Sequence, residues 1–493
     1  MNARAVIVGS GVGGLATAIR LASRGHQVTV LEAAPTIGGK LGEHRDSGHR
    51  FDRGPSLFTM PELVMELDQM VPTELPGRPK PFEFLTMDRS THYFWEDESE
   101  PLVAWADTDK LAQDIERRWQ VPAARFRQHL STSRRAFNLT RGVFLERSLQ
   151  EWRTYGTTDA WRLLLQWFKL PLRGTLHSWN HRHLKHPKLV QLFNRYATYN
   201  GSDPHRAPAM LHVIPHLEHG IGTYLPAQGM RAIPEHLFQL AKSLGVTFHC
   251  NTKATRIHHD GHQVQGVLDE HGHVHPADVV VSNADLHPTY RNLLSDLPAP
   301  ERILTQERST SGVIFYWGVR GNHPSLHLHN ILFSKDYRNE FDNIKETGSP
   351  APDPTVYINI TSKVIPSDAP EGEENWFVLT NVSADPESWD AEAIDTLKAS
   401  VLAKIERTLG FRPEIVCEQV LDPGRIQRDT SSWKGALYGA SSNSKAAAFL
   451  RHRNRSTQLK GLYFCGGSVH PGGGIPLCLL GARIVDELVQ QHS

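Results

Sequence analysis

Consecutive apolar residues near the start of the chain run directly into a glycine-rich segment and then into a helical pattern. Residues 5–8 (Ala-Val-Ile-Val) are typical of a strand that is buried on both faces. Glycine-rich residues 9–14 follow, and apolar positions then recur at helical spacing over 15–21. Residues 27–31 repeat the strand pattern and stop at Glu32. This order predicts a strand–helix–strand unit whose first turn lies at residues 9–14.

A second unit of the same kind lies near the end of the sequence. Residues 462–465 are apolar, residues 466–474 are rich in glycine, and apolar positions recur at helical spacing up to residue 488. Pro476 suits the first turn of this helix, where a backbone N–H has no helical partner. The two units together predict two helix N-termini that meet one large ligand.

The middle of the chain contains further sheet patterns and two long insertions. Residues 231–244 predict an amphipathic helix, and residues 279–283 return to a buried strand. Residues from about 90 to 220 are mainly helical in pattern, whereas those from about 290 to 445 alternate strands and helices. The alternating segment 356–358 fits a sheet with one face on a ligand chamber, and equally fits any half-buried sheet.

The glycines of the first unit match the needs of a dinucleotide. Gly9 permits the tight turn, and Gly11 lets the backbone approach a pyrophosphate. Gly14 lets the helix pack closely on the strand, and the helix N-terminus faces the phosphates. Glu32 can accept hydrogen bonds from a ribose diol, and its charge would repel a 2′-phosphate. The unit therefore predicts a dinucleotide site that disfavours an NADP-type ligand.

Composition excludes several classes of protein. The chain has 493 residues with 53 Lys+Arg and 53 Asp+Glu, so no basic field points to a nucleic-acid partner. No run approaches the roughly 18 apolar residues of a membrane span. The four cysteines lack paired spacing, which favours a reducing compartment, and the N-terminus lacks the features of a secretory leader. We expect a cytoplasmic protein.

Histidine is abundant, and three groups lie at residues 258–262, 271–275 and 323–329. Alternate spacing can place three imidazoles on one face of a sheet, where they could bind a metal ion. No cysteine or carboxylate completes a recognised ligand pattern in these groups. We expect them to lie on a solvated surface, without a metal site.

Residues 161–173 combine tryptophan, phenylalanine and leucine with arginine and lysine. The stretch is too short to span a bilayer, and its composition is typical of a segment that lies in the membrane interface. A buried core helix that lines a substrate site would have the same composition. The sequence leaves both interpretations open.

Two motifs resemble those of one group of flavoproteins. Gly38-Gly39-Lys40 resembles the second glycine motif of the glutathione-reductase-like flavoprotein oxidoreductases, in their amine-oxidase and carotenoid-desaturase branch. Residues 466–476 are similar to the C-terminal flavin motif of the phytoene-desaturase-type carotenoid desaturases. Within this segment, the string Gly-Gly-Ser-Val-His-Pro is most similar to that of the hydroxycarotenoid 3,4-desaturases. Phytoene and diapophytoene desaturases more often carry Thr at the position of Val469.

The resemblance implies an α/β fold. A Rossmann-like FAD-binding domain of the glutathione-reductase type, amine-oxidase branch, is expected from residues 1–90, 221–290 and 446–493. Residues 91–220 are expected to form a mainly helical subdomain that contacts a membrane. Residues 291–445 are expected to form an inserted mixed-sheet domain that binds the substrate.

The resemblance also implies FAD as the cofactor. In the family, the glycine pair and the basic residue of the second motif lie against the flavin pyrophosphate and the ribityl chain. The expected cofactor-binding residues are Gly9, Gly11, Val12, Gly13, Gly14, Glu32, Gly39, Lys40, Pro55, Ser56, Leu57, Ala254, Asn283, Leu437, Gly467, Ile475 and Pro476. Of these, Ala254 is expected at the adenine. We expect His470 near the flavin ring as a residue that shapes the loop, and assign no catalytic residue.

The implied activity is the removal of two hydrogens from adjacent carbons beside a conjugated polyene, at an acyclic carotenoid end that carries a tertiary hydroxyl. The polyene delocalises the positive charge left by hydride loss, so no strong protein base is needed. The expected partners are the carotenoid and the inner face of a membrane. A general phytoene or lycopene desaturase, a carotenoid saturase or isomerase, an amine oxidase and a flavin-binding chaperone stay open as alternatives.

Overall fold

The computed structural model describes residues 3–346, 348–444 and 451–492. Its strands, numbered in chain order, are β1 (Arg4–Val8), β2 (Gln27–Leu31), β3 (Gly42–Asp46), β4 (His49–Arg53), β5 (Phe84–Thr86), β6 (Arg89–Phe94), β7 (Leu102–Trp105), β8 (Tyr224–Pro226), β9 (Thr247–His249), β10 (Ala254–His259), β11 (Val264–Asp269), β12 (Val274–Pro276), β13 (Val279–Ser282), β14 (Ser311–Arg320), β15 (His329–Leu332), β16 (Val356–Ile360), β17 (Glu373–Val382), β18 (Glu414–Leu421) and β19 (Leu462–Phe464).

Its α-helices are α1 (Val12–Ser23), α2 (Glu62–Met70), α3 (Thr108–Trp119), α4 (Ala123–Phe144), α5 (Thr158–Gln166), α6 (Leu176–Leu184), α7 (Pro187–Asn194), α8 (Ala232–Ser243), α9 (Leu286–Pro288), α10 (Glu301–Leu304), α11 (Tyr337–Glu346), α12 (Ala391–Leu409), α13 (Pro423–Thr430) and α14 (Ile475–His492).

One sheet is parallel and has five strands in the order β19–β13–β1–β2–β9. Ile7, Val30 and Val281 in its central strands have no exposed surface, as expected of strands covered on both faces. Helix α1 packs against both α8 and α14 in the apolar core beside the sheet. The predicted Rossmann-like α/β fold is confirmed.

The two ends of the chain meet in this parallel sheet. Strand β19 pairs with β13, which pairs with β1. Helices α1 and α14 are joined by a bidentate ion pair, in which Arg24 Nε and Nη2 lie 2.7 and 2.9 Å from the carboxylate oxygens of Asp486. Both glycine-rich turns of the sequence therefore open at the same edge of one sheet.

A second, mixed sheet has seven strands in the order β18–β14–β17–β16–β15–β6–β7. Strands β15 and β6 are parallel, and the other neighbours are antiparallel. One face packs against α12 through Trp317, Trp376 and Val401. The opposite face includes Phe377 and Tyr357, which line a large cavity. The expected mixed sheet is thus present.

Strands β6 and β7 of the mixed sheet fall within or at the edge of residues 91–220, for which the sequence predicts mainly helices. Strand β6 reads Arg-Ser-Thr-His-Tyr-Phe and has no alternation, because all its residues but the first are buried. Such a strand is stabilised by burial between neighbouring elements, so the local sequence pattern does not predict it. The expected domain boundary at residue 446 lies outside the described residues.

Helix α5 and its neighbouring turns carry large apolar side chains on the surface. Trp161, Leu165 and Phe168 are 58%, 72% and 67% exposed. We call the following residues the apolar surface patch: Trp152, Tyr155, Trp161, Leu164, Leu165, Trp167, Phe168 and Leu172. The interpretation of residues 161–173 as a buried core helix is wrong, since these side chains face solvent. Among the described residues, no helix is long and apolar enough to cross a membrane.

Candidate functional site

The glycines of the first turn are required by close backbone contacts. Gly9 has a φ of +95°, and its N–H donates to the carbonyl of Leu31 at 2.8 Å. A Cβ on Gly14 would lie 2.2 Å from the carbonyl oxygen of Gly9, and a Cβ on Gly13 would lie 2.7 Å from Oδ1 of Asn283. Helix α1 therefore approaches the end of β1 as closely as the glycine pattern predicts.

The N-terminus of α1 is free to receive an anion. Gly11 is the N-cap and supplies no side-chain cap, and the first turn has no acidic residue. The first N–H groups of a helix have no partner within the helix and carry its positive dipole end. Val12 and Gly13 line the cavity at this point. A diphosphate fits such a helix N-terminus.

Glu32 is held by the backbone at the end of β2. One carboxylate oxygen accepts hydrogen bonds from Ser10 N–H at 2.8 Å and from Ser10 Oγ at 2.6 Å. The other accepts one from the N–H of Ala34 at 2.9 Å. The carboxylate is thereby fixed beside the cavity with lone pairs left for the hydroxyls of a ribose. Ala254 also lines the cavity, at the start of β10.

The second glycine motif is tied to both the first turn and a distant loop. The N–H of Gly38 donates to the carbonyl of Ser10 at 3.0 Å, and a Cβ on Gly39 would lie 3.2 Å from Cα of Gly11. Lys40 Nζ donates to the carbonyls of Leu437 and Ala436 at 2.8 and 3.3 Å. Burial lowers the pKa of Lys40. Lys40 thus joins the glycine-lined side of the cavity, where the cofactor is expected and which we call the cofactor side, to the loop that carries Leu437.

The C-terminal glycine loop closes the same space from the other side. Gly467, Ile475 and Pro476 line the cavity, with the latter two in the first turn of α14. A Cβ on Gly473 would lie 3.0 Å from Cα of Tyr438, so this loop packs directly against the loop held by Lys40.

His470 acts as a structural residue of this loop. It is 3% exposed, and its Nε2 forms a hydrogen bond with the carbonyl of Arg147 at 2.8 Å. Burial lowers the pKa of His470 to about 4, so the ring is neutral near pH 7. Its own carbonyl accepts a hydrogen bond from Asn454 Nδ2 at 2.7 Å. These contacts support the expected role in shaping the loop.

These loops open into one cavity of about 1410 Å³. All the expected cofactor-binding residues except Gly14 line it, and Gly14 lies behind them in the packing of α1 on β1. The volume exceeds the roughly 300–1,000 Å³ of a pocket for one small ligand. The cavity therefore has room for a dinucleotide and for part of a second molecule.

The part of the cavity beyond the glycine loops is mainly apolar. It runs between the mixed sheet and the helical segment. Its apolar lining consists of Phe137, Phe144, Leu145, Leu149, Met210, Leu211, Val213, Ile214, Leu217, Ile314, Ile331, Phe377, Leu379, Leu421 and Ile426. We call this part the apolar arm. Tyr357 of the alternating segment 356–358 faces the cavity, whereas Val356 and Ile358 lie in the core on the other face.

A buried ion pair lies beside the apolar arm. Arg195 Nη2 lies 2.9 Å from Oε2 of Glu218, and the same oxygen accepts a hydrogen bond from Tyr199 OH at 2.8 Å. Burial raises the pKa of Glu218, but the charges of Arg195 and His219 and the hydrogen bonds from Tyr199 and Arg195 together outweigh this and hold the pKa at about 2. Arg195 also lies over the rings of Tyr93 and Tyr196. The pair is thus ionised and enclosed by phenol groups.

A second polar cluster, which the sequence does not predict as a unit, lies at the junction of the apolar arm and the cofactor side. Tyr357 OH lies 2.8 Å from Ser56 Oγ and 2.7 Å from His329 Nδ1. Asn359 Nδ2 lies 3.1 Å from the same His329 nitrogen. Ser56, Tyr357 and His329 line the cavity. Their separation in sequence hides the cluster, which forms when β15 pairs with β16.

The expectation that all three histidine groups lie on a solvated surface is wrong for His329. It is 1% exposed because β15 is an inner strand of the mixed sheet. Burial lowers the pKa of His329 to about 3. Within the described ranges, no group of three or more His, Cys, Asp or Glu side chains could hold a metal ion.

Comparisons with known proteins agree with this geometry. The chain is 46% identical over 490 residues to the 1-hydroxycarotenoid 3,4-desaturase of Flavobacterium sp., with 99% of both chains covered. It is 30% identical over 502 residues to the 4,4′-diapolycopene oxygenase of Methylomonas sp, with 99% of this chain and 98% of the other covered. A solved structure of a putrescine oxidase triple mutant gives a TM-score of 0.64 at 15% identity, with 99% of both chains covered, which supports the fold alone.

The family comparison covers nearly the whole sequence. Residues 12–488 match the family described as flavin containing amine oxidoreductase, a range that begins within the first glycine-rich turn and includes the C-terminal glycine loop and the whole mixed sheet. The uncapped helix N-terminus, the glycine loops and the anchored Glu32 fit the flavin cofactor that this family uses. The chain therefore belongs to the flavin containing amine oxidoreductase family.

Proposed function

We propose that this protein is an FAD-dependent carotenoid desaturase. Its substrate is an acyclic carotenoid with a hydroxyl on carbon 1, and the new double bond lies between carbons 3 and 4. Support comes from the 46% identity over 99% of the chain to a 1-hydroxycarotenoid 3,4-desaturase. The observation that carries the proposal is the continuity of the apolar arm with the glycine-lined end of one cavity.

FAD fits the cofactor end better than a flavin mononucleotide. The α1 N-terminus suits a pyrophosphate, and Glu32 and Ala254 line the cavity beyond it, where an adenosine needs contacts. The expected cofactor contacts, from Gly9 to Pro476, are proposed on this basis. Bound FAD supplies the acceptor for the two hydrogens that leave the substrate.

The protein itself supplies shape and a dry environment. The apolar arm suits a long hydrocarbon chain because most of the side chains assigned to it are apolar and bury apolar surface. Its rings and aliphatic side chains exclude water, which would otherwise compete for a carbon that loses hydride. The neutral rings of His470 and His329 do not act as strong bases. Because the polyene delocalises positive charge, orientation of the substrate is the main task of these residues.

A membrane is the proposed source of the carotenoid. Helix α5 packs on α4, and Phe137 and Phe144 of α4 line the apolar arm. The apolar surface patch is therefore beside the cavity wall, with exposed Arg162, Lys169 and Arg173 near it. Apolar rings flanked by cations suit the boundary between lipid headgroups and acyl chains. We propose peripheral contact of this patch with a lipid surface.

Coexpression with defined carotenoids tests the proposed activity. A pigment-free host that makes lycopene is compared with the same host that also makes a carotenoid 1-hydroxylase, and products are read by chromatography and mass. The expected result is a product lacking two hydrogens only when the hydroxylase is present. Desaturation of lycopene without the hydroxyl would reassign the protein to the general desaturases. No change in either host would contradict carotenoid desaturation.

A further inference from the structure

We propose that Ser56, Tyr357 and His329 form the site that recognises the hydroxyl group of the carotenoid end. This inference rests on the proposed function and goes beyond it, because it assigns the substrate preference to three residues. They come from the segment after β4, from β16 and from β15, and all three line the cavity. We call them the hydroxyl triad.

The orientation of the Asn359 amide determines the direction of each hydrogen bond in the cluster. Asn359 Nδ2 donates to the carbonyl of Leu328 at 2.9 Å, which fixes the orientation of the amide. The same Nδ2 faces Nδ1 of His329, so Nδ1 has to be the acceptor. Tyr357 OH then donates to Nδ1, and Ser56 Oγ donates to the phenol oxygen.

This pattern leaves one donor unused. A neutral imidazole that accepts at Nδ1 carries its hydrogen on Nε2. His329 Nε2 is buried and has no hydrogen-bond partner among the described residues. A buried donor is normally paired, and an exception of this kind points to a partner that arrives with a ligand. A substrate hydroxyl oxygen is an acceptor of the right kind.

The position of the triad matches the chemistry of the substrate. In a 3,4-desaturation of a 1-hydroxylated end, the hydroxyl-bearing carbon is two bonds from the nearest reacting carbon, a distance of less than about 3 Å. A residue that recognises the hydroxyl therefore has to lie beside the reacting carbons. The triad meets this condition because Ser56 follows directly after Pro55 on the cofactor side, whereas Tyr357 faces the apolar arm.

Such a site discriminates between carotenoid ends through the free-energy cost of leaving a buried hydrogen-bond donor without a partner. A hydrocarbon end would bury the Nε2 donor without a partner, whereas a hydroxylated end would satisfy it. Sites that hydrogen-bond a substrate hydroxyl reject analogues without it far more strongly than apolar pockets reject a missing methylene. The hydroxyl triad thus accounts for a preference for hydroxylated over hydrocarbon ends, which the apolar arm alone cannot provide.

Two variants test the assignment. Tyr357→Phe removes the phenol hydroxyl that donates to Nδ1 of His329, so that Asn359 alone holds the ring, and His329→Phe removes the Nε2 donor while keeping an aromatic ring. For each, kcat/KM is measured with the 1-hydroxycarotenoid and with the corresponding hydrocarbon, on protein of equal flavin content. We expect the ratio of kcat/KM for the 1-hydroxycarotenoid to kcat/KM for the hydrocarbon to fall by about 10- to 100-fold. The fall should come mainly from a lower kcat/KM for the hydroxylated substrate.

Tyr316→Phe is the matched control. Tyr316 is 1% exposed in the same sheet and packs against Phe377, but it lies outside the cavity lining among the described residues. Its ratio should stay within about twofold of the wild type. If His329→Phe does not fold, Tyr357→Phe alone decides the result, because it adds no volume.

The outcomes separate this inference from the proposed function. Wild-type protein that converts neither carotenoid contradicts the proposed function itself. Wild-type protein that converts both equally well, or a Tyr357→Phe variant with an unchanged ratio, overturns the hydroxyl triad and leaves carotenoid desaturation intact. A selective loss in both triad variants, with Tyr316→Phe unaffected, supports it.

Discussion

Single glycines determine how closely α1 approaches the end of β1. A Cβ at position 14 would meet a backbone carbonyl oxygen of Gly9 at 2.2 Å, and this oxygen cannot move without shifting the strand. The contact accounts for a glycine at position 14 although Gly14 does not line the cavity. We expect a change at this position to act on the cofactor through the position of the helix N-terminus.

We expect Gly14→Ala to lose flavin and to lower the free energy of unfolding by about 1–3 kcal/mol, as overpacking does. Flavin absorbance after gel filtration and a denaturant titration measure the two effects. Gly312→Ala is the control, because its Cβ would find its nearest atom at 3.5 Å, an ordinary contact. A Gly14→Ala protein that retains flavin as well as Gly312→Ala does would contradict this explanation.

The geometry of the first glycine-rich turn could be predicted from sequence because its signal is local. Gly9, Gly14 and Glu32 lie within one strand–helix–strand unit, where spacing alone determines which backbone atoms meet. The pairing of Tyr357 with His329 depends on the register between β15 and β16, and Ser56 comes from another part of the chain. No short-range sequence pattern predicts such a contact.

At the scale of elements, α5 is unusual because it packs one side on α4 and leaves large apolar side chains in solvent. A soluble helix normally turns these residues inward, and a large exposed apolar patch marks a surface for a partner or a membrane. The sequence left this helix open between two interpretations, since composition is the same in both. Only the packing of α5 on the outside of α4 decides between them.

We expect Leu165→Glu combined with Phe168→Glu to weaken binding to phosphatidylglycerol-containing vesicles by at least about 10-fold, because two apolar side chains lose their burial in lipid. Cosedimentation measures the effect. Val274→Glu is the control, since Val274 is also exposed, at 48%, but lies on β12. Equal sedimentation of the double variant and the control would exclude the patch as the lipid contact.

At the scale of the whole molecule, buried neutral histidines link stability to pH. Burial lowers the pKa of His129 and His329 to about 3, and that of His212, His452 and His470 to about 4. The unfolded chain binds these protons near pH 6.5, whereas the folded protein does not. Their stabilising contribution is therefore complete above pH 6.5 and is lost as the pH falls towards 4.

We expect the unfolding midpoint of the flavin-loaded protein to be nearly constant between pH 8 and 7 and to fall steadily below pH 6.5. Each of these histidines lowers the free energy of unfolding by up to about 1.4 kcal/mol per pH unit in that window. His129→Phe should reduce the slope, because His129 is 4% exposed and neither of its ring nitrogens has a hydrogen-bond partner within the described part of the chain. Equal midpoints at pH 7.5 and 5 would contradict this linkage.

On the proposed function, the protein removes two hydrogens from a hydroxylated carotenoid end and passes them to bound flavin. Anaerobic incubation of oxidised, flavin-loaded protein with excess 1-hydroxycarotenoid tests it most directly, with products counted by chromatography after quenching. Because one flavin accepts two electrons, the account predicts one equivalent of the 3,4-desaturated product per flavin, and further product only after an electron acceptor is added. Unlimited anaerobic conversion, or conversion only after chemical reduction of the flavin, would contradict the account and point to an isomerase or a saturase.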